Sequence, residues 1–353
     1  MTLLRHLGAA IVLAVLLGLL SVALNAFRDY QMAQVALYVA AIAGLTVLVG
    51  LSGQISIGNG AFMAVGAYAA ALLLMHLAWP LAAVLAASAA ITALAGLAVG
   101  VAAARLRGPY LAGVTLMLAV ALPSLATRFT GVFGGDQGLA VNISTPPAFL
   151  GPNFPLTRWQ AWISCATALI VLVLLANLAR SRIGRSWRAV RDHEAAAALA
   201  GLNVAALRIL AFVVSAACAG LAGALLGITT TLVSPGSFTV TLSIALLTGA
   251  VLGGLGSLAG AVWGSLIIVL VPTYITDVAT SHGLSSSVAA NIPVAAYGVV
   301  LIAVILLFPD GIQGAVRRLL GPAVPAGRRK ESGPDTAPRR HAPATEHSED
   351  GAP

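Results

Sequence analysis

The stretch RSRIGRSWRAVRDHEAAAALAGLNVAALR, residues 180–208, is a polar island between two long apolar segments. It holds six of the eighteen arginines of the chain. Helix formers fill residues 185–200, and Gly201 follows where the C-terminal cap of a helix is expected. We therefore predict one short amphipathic helix over residues 185–201. From position and charge alone, a positively charged loop that only sets the topology of the flanking segments explains the island equally well.

The charged side chains of this predicted helix are spaced to pair. Arg188 and Asp192 are four residues apart, and Arg191 and Glu194 are three apart, so each pair is expected to meet on the helix surface. Trp187 belongs to an apolar side of the same helix. The pattern indicates a helix that lies flat, with one face buried and one face charged.

The composition decides the class of protein. Apolar residues make up 59% of the chain and charged residues only 8%, which is too little charge for the surface of a soluble domain. Repeated apolar runs of about twenty residues are typical of membrane-spanning helices. We therefore predict an all-α polytopic integral membrane protein with about 8–10 transmembrane or re-entrant helices. The net charge of +8 comes from arginines in short loops and in the tail, a pattern that indicates membrane lipid and not nucleic acid as the surroundings.

The segments divide the chain into three regions. Residues 1–30 are predicted to form an N-terminal transmembrane helix, with a signal peptide as the alternative. Residues 31–320 form the transmembrane domain, and the Pro- and Arg-rich residues 321–353 form a disordered cytoplasmic tail. The apolar segments after the first are predicted at 32–49, 61–79, 81–104, 110–127, 159–179, 207–233 and 291–308, with two shorter helices at 240–252 and 257–275.

Residues 50–60, GLSGQISIGNG, interrupt the second and third segments without a single charge. Glycine-rich backbone of this kind lines cavities enclosed by protein in transporters, and the alternative is a short connecting loop. If it lines a pathway for a polar solute, its polar groups are the candidates for contact with that solute. The candidates are Ser52, Gly53, Gln54, Ser56 and Asn59, of which Gln54 and Asn59 carry side-chain amides.

Residues 240–275 are too long for one crossing. At about 1.5 Å per residue they would extend roughly 54 Å, against a hydrocarbon core of about 30 Å. Gly253-Gly-Leu-Gly256 breaks the stretch near its middle, so a hairpin or re-entrant pair is predicted. With such a pair, the arginine-rich loops and both termini fall on the cytoplasmic side, and the two halves of the chain have opposite orientations, as in an inverted repeat.

Several functions are disfavoured by what the sequence lacks. No predicted membrane segment carries Asp, Glu, Lys or Arg near its centre, which argues against a proton-driven carrier and against hydrolytic chemistry in the membrane. We predict no catalytic residues, no metal and no cofactor. The only lysine, Lys330, is followed by Glu331 and so belongs to no phosphate-binding loop. If the protein takes part in ATP-driven work, another subunit binds the nucleotide.

Five blocks of sequence resemble one known family. They are LSGQISIGNGAFMAVGAYAAALL (51–73), RLRGPYLAGVTLMLAVALPSLATRFTGVFGGDQGL (105–139), IGRSWRAVRDHEAAAALAGLNVAALRILAFVVSAACAGLAGAL (183–225), VLGGLGSLAGAVWGSLI (251–267) and LLFPDGIQG (306–314). In this order and over most of residues 51–314, they resemble the permeases of branched-chain amino-acid ABC transporters. Of the two permease types that pair in such transporters, the chain looks like the LivM-type subunit.

The resemblance implies a permease subunit of an ATP-driven importer in a bacterial cytoplasmic (inner) membrane. Its implied partners are a second permease subunit, two ATP-binding cassette subunits and an extracytoplasmic solute-binding protein. The solute would be a branched-chain amino acid or a related small polar molecule, and nucleotide hydrolysis would belong to the partners.

The resemblance also implies that the helix at 185–201, within a cytoplasmic coupling loop at 180–208, docks on the ATPase. Glu194-Ala195-Ala196 with Gly201 resembles the acidic-Ala-Ala…Gly core of import permeases. Four residues instead of three separate Ala196 from Gly201, and no Ile-x-Leu-Pro follows. The implied coupling residues are Arg185, Arg188, Arg191, Asp192, Glu194, Ala195, Ala196 and Gly201.

The alternative to an import permease is a self-contained secondary carrier or channel for a small polar solute. Both explain the missing phosphate-binding loop. Only the import permease explains a docking helix of this composition, because a self-contained carrier has no ATPase to engage.

Overall fold

The computed structural model describes residues 12–19, 24–77, 79–106, 109–141, 154–281 and 311–320, together with positions 8, 21, 146, 150, 151, 298, 302, 303 and 306. The predicted N-terminal helix (1–30) is described at residues 12–19, which are helical, and from residue 24 onward. The predicted last segment (291–308) lies largely outside the described residues. The predicted tail, 321–353, lies wholly outside them.

The described chain is almost entirely helical, as predicted. Its helices are α1 (Ala26–Thr46, extended by the π-helix Val47–Leu51), α2 (Asn59–Leu77), α3 (Leu81–Ala103), α4 (Pro109–Arg128), α5 (Thr130–Phe133), α6 (Leu156–Arg180), α7 (Arg182–Asp192), α8 (Glu194–Leu199), α9 (Val204–Thr230), α10 (Val240–Gly253), α11 (Gly260–Ser281) and α12 (Gly311–Leu320). Two 3₁₀ turns, Gly135–Gln137 and Pro235–Phe238, and two short strands, β1 (Leu139–Ala140) and β2 (Leu232–Val233), complete the described elements. Within the described ranges, eight helices are long and apolar enough to cross a membrane.

Helix α9 is the centre of the bundle and packs against α1, α2 and α3. Small residues make the packing close. A Cβ atom at Gly66 of α2 would lie 2.1 Å from the carbonyl oxygen of Gly220, and one at Gly96 of α3 would lie 2.4 Å from the Cβ of Ala216. Membrane helices gain little from the hydrophobic effect against one another, so close backbone approach of this kind supplies much of their association.

The two ends of the bundle are distinct. We call the end that carries residues 180–208 the loop end and the opposite end the far end. At the far end β1 and β2 pair antiparallel, with Leu139 opposite Val233 and Ala140 opposite Leu232. Gln160 of α6 donates to the carbonyl oxygen of Ile228 in α9 at 2.9 Å, which ties these two helices together below the strands.

Helices α10 and α11 form the predicted hairpin. Their turn is so tight that a Cβ atom at Gly253 would lie 2.0 Å from the carbonyl oxygen of Gly260. The turn sits at the loop end, where Arg317 of α12 donates to the hydroxyl of Ser257 at 3.2 Å. The second helix continues to Ser281, beyond the predicted end at 275. Comparing the length of residues 240–275 with the membrane thickness was therefore sufficient to predict this hairpin.

Candidate functional site

Helix α7 lies across the loop end and is held there by an N-terminal cap and by a buried tryptophan. Ser181 caps its N-terminus by accepting from the amide of Gly184 at 3.4 Å. Trp187 is 1% exposed, and its indole N–H donates to the carbonyl oxygen of Leu207 at 2.8 Å. The buried side of α7 thus rests on the first turn of α9, and its arginines occupy the remaining faces.

The prediction of one continuous helix over residues 185–201 is wrong. The helix ends at Asp192, His193 takes an extended conformation (φ −152°, ψ 93°), and a second helix, α8, begins at Glu194. The predicted cap is confirmed. Gly201 has φ +83°, its amide donates to Ala198 at 3.0 Å, and the amide of Leu202 donates to Ala197 at 3.1 Å. This double bond pattern is a Schellman motif, whose left-handed residue favours glycine.

The break at His193 redirects the charged side chains, and the two predicted pairs are wrong. Arg191 binds its neighbour Asp192, with Nε and Nη2 each 2.9 Å from Oδ1. Glu194 forms its ion pair with Arg208 at 2.8 Å. A continuous helix would have kept Glu194 on the face of Arg191, whereas the bend turns it toward the first turn of α9.

Arg188, the predicted partner of Asp192, also points elsewhere. Arg188 donates to the carbonyl oxygen of Ala179, in the last turn of α6, at 3.0 Å. Arg185 donates to the carbonyl oxygen of Arg180 at 3.1 Å. Both arginines therefore satisfy carbonyl groups at the C-terminal end of α6, where a cation is favoured.

The outer face of α8 is open to its surroundings. Ala195, Ala196 and Gly201 are exposed, and Leu199 is 91% exposed. Leu199 was not among the predicted coupling residues. Its signal in the sequence is a leucine two residues before the cap at Gly201, on the side opposite the buried Ala197. Together with the exposed Ala195, Ala196 and Ala198 it forms an apolar surface on α8, and contiguous exposed apolar surfaces mark contact sites.

The predicted pathway residues lie together in a polar break between α1 and α2. Ser52, Gln54, Ser56 and Asn59 are each at most 5% exposed, whereas Gly53 is exposed. The amide nitrogen of Gln54 donates to the hydroxyl of Ser52 and, at 3.3 Å, to the carbonyl oxygen of Arg208. The amide of Gly58 donates to the hydroxyl of Ser56 at 3.3 Å.

Asn59, the first residue of α2, lies deep in the bundle. Its amide donates to the hydroxyl of Ser215 at 3.3 Å. Ser215 follows Val204, the first residue of α9, by eleven positions, a rise of about 16 Å along the helix axis. Helix α2 therefore starts near mid-height of the bundle, as the discontinuous helices of transporters do.

Hydroxyl groups from neighbouring helices hold the backbone of the break. Thr115 of α4 accepts from the amide of Ile57 at 3.0 Å. Ser243 of α10 accepts from the amide of Gly60 at 3.1 Å. Irregular backbone at membrane depth needs such partners, because no water is available there. The sequence did not point to these hydroxyls, since isolated Ser and Thr residues are common in membrane helices.

Two side-chain oxygens in the break have no hydrogen-bond partner among the described residues. They are Oε1 of Gln54 and Oδ1 of Asn59. A buried amide oxygen without a partner carries a desolvation cost of about 1–3 kcal/mol. The contact of these groups with a solute stays a prediction.

A buried ion pair at the far end was not predicted. Asp29, in the first turn of α1, is 1% exposed, and its Oδ2 lies 3.5 Å from Nε of Arg158 in α6. The two residues are far apart in sequence, so no local pattern joins them. Among the described residues no group of three or more His, Cys, Asp or Glu side chains could hold a metal ion.

The eight apolar helices, close small-residue packing and a polar break enclosed by protein define a polytopic α-helical membrane protein. Residues 27–309 match the family described as branched-chain amino acid transport system permease component. The chain belongs to this family.

The chain is similar to both permease types of high-affinity branched-chain amino acid transport systems. It is 34% identical over 250 residues to the permease protein LivM of Salmonella typhimurium, covering 64% of this chain and 58% of the relative. LivM of Escherichia coli gives the same identity and coverage. LivH of Escherichia coli is 34% identical over 197 residues, covering 55% of this chain and 56% of the relative. The longer match supports the LivM type, although the chain spans only about 58% of the length of either LivM relative. No solved structure matches the chain.

Proposed function

We propose that the chain is the LivM-type permease subunit of an ATP-driven ABC importer in a bacterial cytoplasmic (inner) membrane. Its solute is a branched-chain amino acid or a related small polar molecule. The observation that carries the proposal is the family match over residues 27–309, which includes the polar break, the 180–208 loop and the α10–α11 hairpin. The names of the LivM and LivH relatives support the choice of solute.

The proposed complex contains a second permease subunit, two ATP-binding cassette subunits and an extracytoplasmic solute-binding protein. The 180–208 loop is the coupling loop and faces the cytoplasm, with both chain termini on that side. The N-terminal transmembrane helix predicted at residues 1–30 ends before Ala26, where α1 begins. The permease domain extends to residue 320, and residues 321–353 form a cytoplasmic tail. The placement of arginines at the loop end supports this orientation, because cytoplasmic loops are enriched in Lys and Arg.

The docking surface proposed for the ATPase is the outer face of α8 together with Arg185 and Arg188 of α7. Leu199 is its apolar anchor, and Ala195 and Ala196 allow close approach of the partner. Arg185 and Arg188 add positive charge on α7. Interfaces typically draw most of their binding free energy from a few such anchors within a polar rim.

The polar break is proposed as this chain's share of the solute pathway. Ser52, Gln54, Ser56 and Asn59 are packed against helices α4, α9 and α10 in this conformation. Movement of the coupling loop opens the break, and the free oxygens of Gln54 and Asn59 accept hydrogen bonds from the ammonium group of the solute. Weak contacts with uncharged groups suffice in this pathway, because the binding protein supplies the selectivity for the solute.

The test is co-purification of the detergent-solubilised chain followed by mass spectrometry of the proteins that accompany it. The proposal expects ATPase subunits and a second permease. Leu199→Asp should reduce ATPase recovery about tenfold or more, since it places a charge in a buried contact. Leu319→Asp is the matched control, because Leu319 is 83% exposed on α12, outside the coupling loop. A wild-type chain that purifies alone and transports solute without ATP would contradict the proposal.

A further inference from the structure

One arginine of the coupling loop reaches a different membrane helix. Nη1 of Arg191 donates to the carbonyl oxygen of Gly50, 2.5 Å away and 141 positions earlier in the chain. The bonds described above for Arg185 and Arg188 end instead on α6, the helix that precedes the loop. Arg191 therefore connects α7 directly to the end of α1.

Arg191 binds a backbone carbonyl group at a helix end, where the helix itself supplies no hydrogen-bond donor. Gly50 lies in the π-helix Val47–Leu51, with which α1 ends. The last carbonyl groups of a helix have no partner within it and carry partial negative charge, so a cation beside them is favourable. Asp192 holds the guanidinium from the other side at 2.9 Å. The side chain of Arg191 is thus fixed at both ends of its guanidinium group by charge-assisted hydrogen bonds.

The stem of the same side chain lies against the polar break. Gly53 has φ +74°, and a Cβ atom there would lie 2.8 Å from Cγ of Arg191. Only glycine accepts both this conformation and this contact without strain. One position further on, Gln54 donates to the carbonyl oxygen of Arg208, and Arg208 is the ion-pair partner of Glu194. The loop therefore holds the start of the break at two adjacent points.

We propose that Arg191 is a positioning residue that ties α7 to residues 50–54, so that displacement of α7 by the ATPase moves the polar break. The inference rests on the proposed function and adds to it a route from the docking surface to the pathway. In this role Arg191 transmits movement and is not needed for the ATPase to bind. Glutamine at this position keeps the length of a polar side chain but loses the cation and the fork of donors.

The experiment compares Arg191→Gln with Arg182→Gln in the purified complex reconstituted in liposomes. Arg182 is exposed on the first turn of α7 and is not among the proposed docking residues. Arg191→Gln should retain the ATPase subunits but lower both uptake and solute-stimulated ATP hydrolysis about tenfold, in line with the loss of a charge-assisted bond. Arg182→Gln should stay within about twofold of wild type. Normal uptake by an intact Arg191→Gln complex would overturn the inference and leave the proposed function standing.

A covalent tether provides a second, independent test. A Cβ atom at position 53 would lie 3.4 Å from Cβ of Arg191, close to the separation of about 3.5–4.5 Å in disulfides. The double variant Gly53→Cys and Arg191→Cys is made with Cys165 and Cys218, both buried, replaced by Ala.

In the oxidised form the disulfide replaces the arginine tether, and uptake should recover severalfold over the reduced form. The single variant Gly53→Cys controls for strain at position 53. Equal, low uptake in both redox states of an assembled complex would overturn the tether. The comparison of the two redox states also tests the role of Arg191 if the complex with Arg191→Gln does not assemble. A wild-type chain that binds no ATPase would instead remove the proposed function itself.

Discussion

Gly66→Ala tests the close packing of α2 against α9, on which the whole bundle depends. A Cβ atom at position 66 would lie 2.1 Å from the carbonyl oxygen of Gly220 and 2.4 Å from its Cα. Non-bonded carbon and oxygen atoms prefer to stay about 3.5 Å apart, so the two helices must move apart by about 1.4 Å. Overpacking of this kind costs about 1–3 kcal/mol, and alanine returns up to about 1 kcal/mol through its helix propensity.

The matched control is Gly113→Ala in α4. A Cβ atom at Gly113 would meet nothing within 4 Å, so this variant gains helix propensity without a clash. Because both variants gain the same helix propensity, they should differ by the overpacking cost alone, about 1–3 kcal/mol in the free energy of unfolding. Thermal unfolding of the detergent-solubilised chains, followed by intrinsic tryptophan fluorescence, should give a midpoint about 1–4 °C lower for Gly66→Ala than for Gly113→Ala. Equal midpoints would refute the close approach of α2 and α9.

Three further changes test single interactions. Glu194→Lys should lower the coupling of ATP hydrolysis to transport without preventing membrane insertion. Adding Arg208→Glu reverses the 2.8 Å ion pair and should restore part of the coupling. No recovery in ATPase assays would argue that Glu194 acts only on the ATPase subunit. Asp29→Ala should lower the free energy of unfolding by about 1–3 kcal/mol, because it leaves the partly buried Arg158 without its partner. Adding Arg158→Leu should recover much of that loss in thermal unfolding, and additive losses would exclude the pair. Gly201→Ala should destabilise the end of α8 by about 1–2 kcal/mol, because position 201 has a φ of +83°. The loop should then be cleaved faster in limited proteolysis, and an unchanged cleavage rate would contradict the cap.

Features governed by length and local chemistry were predictable from the sequence. The α10–α11 hairpin followed from comparing 36 residues with the membrane thickness, and its turn begins at Gly254, within the predicted glycine break at 253–256. The cap at Gly201 followed from the position of one glycine after an alanine run. The break at residues 50–60 was predicted from its composition, and the structure places its polar side chains inside the bundle.

Features that depend on distant residues were not predictable. Nothing in the alanine-rich sequence around His193 marks the end of α7, because the bend is favoured by the docking of Trp187 on Leu207 and by the pairing of Glu194 with Arg208. The same bend made the local spacing of Arg191 and Glu194 misleading. The partner of Arg191, the carbonyl oxygen of Gly50, is a backbone group, and a backbone group leaves no trace in side-chain patterns.

The most direct test of the central claim measures uptake of radiolabelled leucine by proteoliposomes that contain the complex purified through this chain. The binding protein is supplied outside, and ATP is enclosed in the lumen, which corresponds to the cytoplasm. An import permease predicts uptake that requires both, and that stops when a non-hydrolysable ATP analogue replaces ATP. Uptake by the chain alone, at the same rate with and without ATP, would contradict the account and identify a self-contained carrier.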